Sequence, residues 1–327
     1  SEVTISNSKF AYNNVTYSEG ADFDKIDGGA LFITGNNVTI SDTLFDHNNA
    51  SHYGGTIYIL GNETVIDNCT MEASNATRGG AIYVEGENAT ISANFKNTNA
   101  SLSGGAIYVQ GENTTIVDST FDTTYAFGSL NNGGGAIMVN GNYTSIVSSN
   151  FTNNHADNNH EARGGAIYIK GLGTNITDSK FEHSRSNLYG GAIYIYGNDT
   201  TVLNSNFTDC TVSSDGSQGG SIYVSGENAT IEGSNFVDSY AKLNGGSIYI
   251  NGNDTTVRNS NFTRSSVDVT GSEGGSIYVF GENAVIEGSG FVGSYAKLRG
   301  GSIYIKGNDT TVRNSTFTGS RVDDAGS

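Results

Sequence analysis

GGAIYVEGENATI, residues 79–91, decides how the whole chain is read, because close relatives of the phrase return along its length. Gly-Gly pairs open the motif at Gly28, Gly54, Gly79, Gly104, Gly134, Gly164, Gly190, Gly219, Gly245, Gly274 and Gly300, at intervals of 25 to 30 residues. A large apolar residue (Phe45, Met71, Phe95, Phe121 and onward to Phe317) follows the first Gly by 17 residues, or by 16 in the Phe95 copy. Length therefore varies between this residue and the next Gly-Gly, giving each unit a rigid and a tolerant half. Self-similarity at a fixed period overrides the two-domain expectation that 327 residues would raise. The chain reads as one repeat domain over 1–327, and its start at Ser1 with no visible signal peptide is expected of a processed protein or a cut-out piece.

Strand alternation assigns the columns of the rigid half to faces. The fourth position is Ile in almost every copy (Ile57, Ile82, Ile107) and the sixth is Ile or Val (Ile59, Val84, Val109). The seventh accepts Glu85, Lys170 and Phe280 alike, which marks it as facing water. The fourth and sixth then face a core, and the fifth, a Tyr in most copies, is expected to face outward beside the small third position. A Gly closes this strand in every copy, usually within Gly-Asn or Gly-Glu-Asn, residues that accept the left-handed backbone of a sharp corner. A second short strand carries Ile40, Ile66 or Val202, and a third carries the Phe column, with a small residue (Thr43, Cys69, Ser119) two places before it.

Three short strands and three corners make one closed turn of chain. A lone turn cannot bury its apolar side, whereas stacked turns give each Ile a neighbour about 4.8 Å above and below. The fold class expected is all-β: a right-handed parallel β-helix, a solenoid of about 11 full coils of 25–30 residues with partial terminal coils, three short strands per coil. The absence of proline agrees, because proline removes a ladder donor. Cys69 and Cys210 fall about five coils apart, too far for a disulfide, and read as buried thiols in small-residue columns.

With 33 acidic against 16 basic residues the net charge is −17, which disfavours nucleic acid and anionic membrane surfaces as partners. No run of 18 uncharged apolar residues is present, so direct membrane insertion by a helix is not expected. Asn-x-Ser/Thr recurs throughout, at Asn62, Asn88, Asn142 and Asn253 among others, each a glycan acceptor if the chain is exported.

The paired signatures GGA[I/L] (79–82, 104–107, 164–167 and others) and F-x-x-N (Phe10 to Asn13, Phe45 to Asn48, Phe151 to Asn154) resemble the polymorphic membrane protein type of repeat. That repeat belongs to bacterial surface autotransporters and to adhesin-like surface proteins of methanogenic archaea. The Asn- and Thr-rich spelling is most similar to the archaeal set. The resemblance implies an extracellular, cell-surface rod engaged in attachment, with a surface glycan or a protein of another cell as partner. The chain departs from a complete member in lacking a recognisable anchor, stalk or translocating barrel.

The outward column is the first candidate contact surface: Tyr168, Tyr194, Tyr223, Tyr249 and Tyr278 form a central stripe of rings at strand spacing. The same stripe would also stabilise a sheet with no ligand, through cross-strand contacts of about 0.2–1 kcal/mol per pair. The second candidate is the set of long intervals on one edge, above all 124–133 and 153–163, carrying Tyr125, Phe127, His155 and His160. His155, Asp157, His160 and Glu161 lack structural-zinc spacing, and no cofactor is expected. Calcium is the one ion that the acidic turns Glu63, Glu87, Asp199 and Asp254 would suit, although EF-hand spacing is absent.

Polysaccharide lyases and hydrolases also use parallel β-helices, but their chemistry needs a unique constellation. Here the carboxylates recur with the repeat, no odd-one-out Asp-Asp or Asp-His-Arg set stands out, and Arg and Lys show no central cluster. The chain is therefore expected not to be an enzyme. A third class is a structural surface-layer or filament module, since uncapped end coils would invite end-to-end self-association.

Overall fold

The structure, a computed structural model, describes residues 3–16, 27–128, 133–157 and 161–323. Every strand pairing among them is parallel and joins one coil to the next: Ile222 lies on Ile248, Phe207 on Phe236, Thr211 on Tyr240. The ladders collect into three faces of a solenoid. One sheet of 11 strands carries the fourth to sixth positions, as in Ile193–Ile195. A second, of 22 strands, takes both the aliphatic strand and the Phe strand of each coil, as in Thr201–Leu203 and Asn206–Thr208. The third is narrow, built from strands such as Thr211–Val212. These two-residue strands open the interval that the sequence presents as a loop, and their small inward residues (Ala126, Ala156, Val212, Ala241) close the third side of the core.

The coil shape follows from a few backbone positions. The two strands of the wide sheet are separated by a left-handed residue, as at Asp118, Ser148, Asp178 and Asn204, with φ between 47° and 52°. Asn, Asp and Gly tolerate this region best, which is why the chain is rich in them. In the Gly-Gly pair the first Gly turns the chain (φ 61° at Gly190), and the second has no room for a side chain: a Cβ on Gly191 would lie 2.1 Å from the carbonyl oxygen of Gly220 in the next coil.

Inside, the Ile and Val columns are buried between the end coils, with Ile305, Val312 and Phe317 of the last coil exposed, and Phe95 to Phe317 stack with ring centroids 4.7–4.9 Å apart and planes within 6°. Each such ring pair contributes about 0.5–1.5 kcal/mol beyond its buried area. A buried Ser column runs beside them, each hydroxyl accepting from the next-lower coil's amide, as Ser205 Oγ accepts from Ser179 N at 3.2 Å. Cys69 occupies this column, its Sγ 3.3 Å from the Asp67 carbonyl where Ser119 Oγ meets the Val117 carbonyl at 3.0 Å. Cys210 takes the place of the Asn of F-x-x-N, and both thiols are free and buried.

In the C-terminal coils the drift from GGA to GGS and the drift from F-x-x-N to F-x-x-S go together. The third-position Ser and the Ser three places after Phe face each other across the core of one coil: Ser221 and Ser239 at 2.7 Å, Ser247 and Ser265 at 2.6 Å, Ser276 and Ser294 at 2.6 Å. Where the third position is Ala166, the facing Ser184 hydroxyl is buried without a partner. Ser239→Ala is therefore expected to lower stability by about 1–3 kcal/mol by orphaning Ser221. Ser221→Ala with Ser239→Ala should cost clearly less than the single change, as read by the midpoint of chemical denaturation.

Candidate functional site

The outer face of the 11-stranded sheet carries the tyrosine column, in register from coil to coil (Tyr194 on Tyr223, Tyr223 on Tyr249). As expected, the column lies on the side of the sheet away from the aliphatic core. The expectation that it stands in water is corrected: Tyr168 is 2% exposed, Tyr194 and Tyr249 6%, Tyr278 5% and Tyr223 9%. The rings bury one another by stacking (Tyr223 on Tyr249, 5.0 Å and 11°) and are covered from the side by a further ladder. That ladder is formed by the residue preceding each Gly-Gly pair: Gly133 bridges Arg163, which bridges Tyr189, then Gln218 and Asn244. Tyr189 packs over Tyr223 at 4.8 Å, and Tyr53 over Tyr83 at 4.5 Å. The opposite flank is the seventh position, where Tyr196 is 58% and Phe280 45% exposed. Apart from Phe32 at the N-terminal end of the column, the accessible aromatics of this face are therefore at its borders, a point that the seventh column's lack of any shared identity concealed.

The column is interrupted once. Met138 stands between Tyr108 and Tyr168, and the bordering residue of that coil is Gly133, so one coil lacks both the ring and its cover. In the adjoining coils Tyr168 meets Tyr194 edge-on, at 89°, unlike the near-parallel pairs elsewhere. Beside this break lies a cleft of about 430 Å³ lined by Arg163, Tyr168, Lys170, Tyr194 and Tyr196. The Arg163 guanidinium lies 5.5 Å from the Tyr194 ring centre and pairs with Glu161 at 2.8 Å. The Lys170 ammonium lies 5.0 Å from the Tyr168 ring centre. Desolvation beside the rings, then Arg163 and Arg78, lower the pKa of Lys170. Arg78 lies over Tyr108 at 5.7 Å, on the other side of the Met138 interruption. Arg163 and Lys170, which the sequence reading did not take as a cluster, thus share one cleft, and Arg78 lies on the same face across the Met138 interruption.

The edge candidates fall elsewhere. Tyr125 and His155 are paired residues of the narrow sheet, with rings 5.0 Å apart, and Phe127, 54% exposed, stacks on Tyr125. Burial, then Arg185, lowers the pKa of His155. No ring contact joins this cluster to the tyrosine column among the described residues, and His160 lies outside them. Among the described residues no three His, Cys, Asp or Glu side chains converge as metal ligands. Asp199 and Asp254 are left-handed corner residues accepting from Asn228 and Asn283, and Glu63 is a corner of the same kind.

A second grouping, at the N-terminal end of the column, was missed from sequence. The Asp27 carboxylate, with 6% of its side chain exposed, accepts from the Tyr53 amide at 2.9 Å and lies 3.2 Å from His52 Nδ1. The His52 approach does not meet hydrogen-bond geometry, so it is a close polar contact rather than a formed bond. His52 stacks on Tyr53 at 3.5 Å, and Arg78 Nη1 donates to Tyr53 Oη at 2.6 Å. In the next position Tyr58 donates to Glu85. These residues come from three coils; Asp27, Tyr53 and Arg78 share the position before Gly-Gly, so the repeat spacing aligns them, but that column has no common residue type to draw attention to it.

Comparison with known proteins supports the fold. The family described as the right-handed beta helix region matches residues 165–321, and the Chlamydia polymorphic membrane protein repeat matches residues 148–170. No curated protein matches the chain. A mutant tailspike protein of E. coli bacteriophage HK620 in complex with a hexasaccharide is similar at 13% identity and TM-score 0.54, over 95% of this chain and 58% of the tailspike. Another mutant of that tailspike, with a pentasaccharide, gives 13% and 0.51 over 96% of this chain and 59% of that one. Pectate lyase Pel9A gives 12% and 0.53 over 99% of this chain and 82% of the lyase. The chain spans less than three fifths of the tailspikes it matches. At such identities the likeness is one of fold. It nevertheless overturns the expectation that the chain is not an enzyme, because a lyase is built on this coil.

Burial of the column has a titration consequence. It raises the pKa of Tyr168 and Tyr278 to about 12, and raises those of Tyr83, Tyr223 and Tyr249 too. A phenol that holds its proton more tightly when folded stabilises the protein fully below the unfolded value, about 10, and loses that contribution as pH climbs toward the folded value. The rod is expected to lose stability between about pH 10 and 12, with phenolate absorbance from the column appearing together with unfolding. Phenolate absorbance from every tyrosine at the ordinary value, in a rod still folded by circular dichroism, would contradict this burial.

Proposed function

We propose that the chain is a surface-displayed, adhesin-like rod, acting outside the cell, that engages polysaccharide along the outer face of its tyrosine sheet. The observation that carries this reading is the cleft beside the Met138 break, where a 58% exposed Tyr196 stands next to two cations and two further rings. Aromatic faces with a few convergent polar groups suit sugar rings, which present an apolar face and a hydroxyl rim. Phe280, with the Lys306 ammonium 5.0 Å from its ring centre, repeats the aromatic-cation pairing on the same flank. It lies three coils from Tyr196, about 14 Å at the sheet spacing, a span that fits an oligosaccharide rather than a single sugar. The likeness to a tailspike holding a hexasaccharide and to a pectate lyase supports a carbohydrate partner. Replacing Tyr196 and Phe280 together with Ala is expected to weaken binding to a panel of surface polysaccharides about tenfold, a loss of about 1.4 kcal/mol, with the melting temperature unchanged. Equal binding by the double variant would refute the assignment of this flank.

A second reading, cleavage of the bound polysaccharide, is favoured by the Asp27–His52–Tyr53–Arg78 grouping. A carboxylate beside an imidazole, with a guanidinium donating to a phenol, supplies the acid-base partners that lyases and hydrolases require. If this grouping is catalytic, His52→Ala should abolish the appearance of new reducing ends or unsaturated sugar products while leaving binding at Tyr196 intact. Wild-type protein that produces neither from any polysaccharide it binds would remove this reading.

A further inference from the structure

Acidic residues outnumber basic ones two to one in this chain, 33 to 16, so a cation without a carboxylate is conspicuous. Cations of the other faces are typically paired: Arg258 with Glu232 at 2.7 Å, Arg264 with Asp238 at 2.7 Å, Lys180 with Glu182 at 2.7 Å, Arg313 with Glu287 at 2.9 Å. Five described cations, Arg78, Lys170, Arg185, Lys297 and Lys306, form no such pair, and of these Lys170 and Arg78 rest on the tyrosine column itself. Neither has a carboxylate within ion-pair distance among the described residues; Lys170 rests on the Tyr168 ring, and Arg78 on those of Tyr53 and Tyr108. Arg163, joined to Glu161 through one Nη, completes a set of three cations on one side of the rod. Holding like charges together on a partly desolvated aromatic floor costs free energy, and Lys170 registers that cost in its lowered pKa, for which burial, Arg163 and Arg78 are the causes. Nothing in the repeat demands the arrangement. The same seventh position is Ser225 or Asn251 in other coils, and the position before Gly-Gly is Gln218 or Asn244.

We infer that the cleft lined by Arg163, Tyr168, Lys170, Tyr194 and Tyr196 is a subsite for a carboxylate-bearing sugar, a uronic acid unit of an acidic polysaccharide. The inference deepens the proposed function and rests on it. The exposed Lys170 ammonium takes the sugar carboxylate, the positive charge of Arg163 lies in the same cleft, and the exposed Tyr196 ring lies against the apolar face of the pyranose. Arg78, across the Met138 interruption, adds long-range attraction and lies on the path toward the neighbouring sugar. The choice of a carboxylate follows from charge: a rod of net charge −17 repels polyanions in general, so it can hold one only where cations outnumber acids locally, and this face provides such a place.

The test uses hexamers of galacturonate and mannuronate, their methyl esters, in which the carboxylate charge is removed and the sugar kept, and neutral hexasaccharides. Binding is measured calorimetrically to the full chain at low and at physiological salt. The acid form of at least one uronate is expected to bind about tenfold more tightly than its ester at low salt, with the preference shrinking as salt rises. Lys170→Gln, an exposed and conservative change, should remove most of that preference while leaving ester binding in place. Lys96→Gln on the wide sheet, which deletes the same charge elsewhere, should leave the preference intact. Acid and ester binding equally well, or a preference unmoved by Lys170→Gln, overturns the subsite but leaves the polysaccharide reading standing. No binding of any saccharide to the wild-type chain overturns both. Arg163→Gln is informative only where its melting temperature matches wild type, because Arg163 also holds the bordering ladder together.

Discussion

Everything in this molecule depends on hydrogen bonds that join each coil to the next in fixed parallel register. Because every pairing runs from residue to equivalent residue, each side chain has its own kind above and below it, about 4.8 Å away. Like-on-like stacking rewards residues that pack on themselves. Phe on Phe, Ile on Ile and Tyr on Tyr answer that demand directly, and Ser columns answer it by passing hydroxyls from one coil to the next amide. It penalises charge columns, which the chain resolves by alternating sign: Glu232 is followed by Arg258, then Glu287, then Arg313.

The same constraint explains what was legible beforehand. Columns of identical residues announce themselves, so the Ile, Val and Phe faces, the corners and the parallel stacking could be read from Gly-Gly spacing alone. Cys69 could be placed among the serines for the same reason. The narrow sheet escaped notice because its strands are two residues long and begin the interval where length varies. The cover over the tyrosines escaped because the residue before Gly-Gly has no common identity: Tyr53, Arg78, Gly133, Arg163, Tyr189 and Gln218 share a place in space and nothing else. Periodicity could reveal the tyrosine column but not its burial, since alternation assigns a side of the sheet and says nothing of what lies upon it.

Functional groupings are hardest to see for a related reason. A site in a solenoid consists of departures from the repeat in neighbouring coils, and such departures look like noise when the coils are read one below another. Met138 departs from the tyrosine column, whereas Asp27, Arg78 and Arg163 sit in the border position and Lys170 in the seventh, columns with no common residue from which a site would stand out. Stacking converts a separation of 25 to 30 residues into one rung. The two groupings sit on one face, one toward the N-terminal end of the tyrosine column and one at its interruption, so an extended chain lying on this face would pass both.

The buried serine pair has a consequence for how such a rod changes over generations. Ser221 with Ser239, or Ser276 with Ser294, keeps donor and acceptor inside the same turn of chain. A whole turn can then be duplicated or lost by recombination without leaving an unmatched hydroxyl in its neighbours. The near-copies at 219–250 and 274–305 have the appearance of such an event. Reach becomes a property that a lineage can adjust in whole steps while the irregular coils that bear the contacts stay untouched.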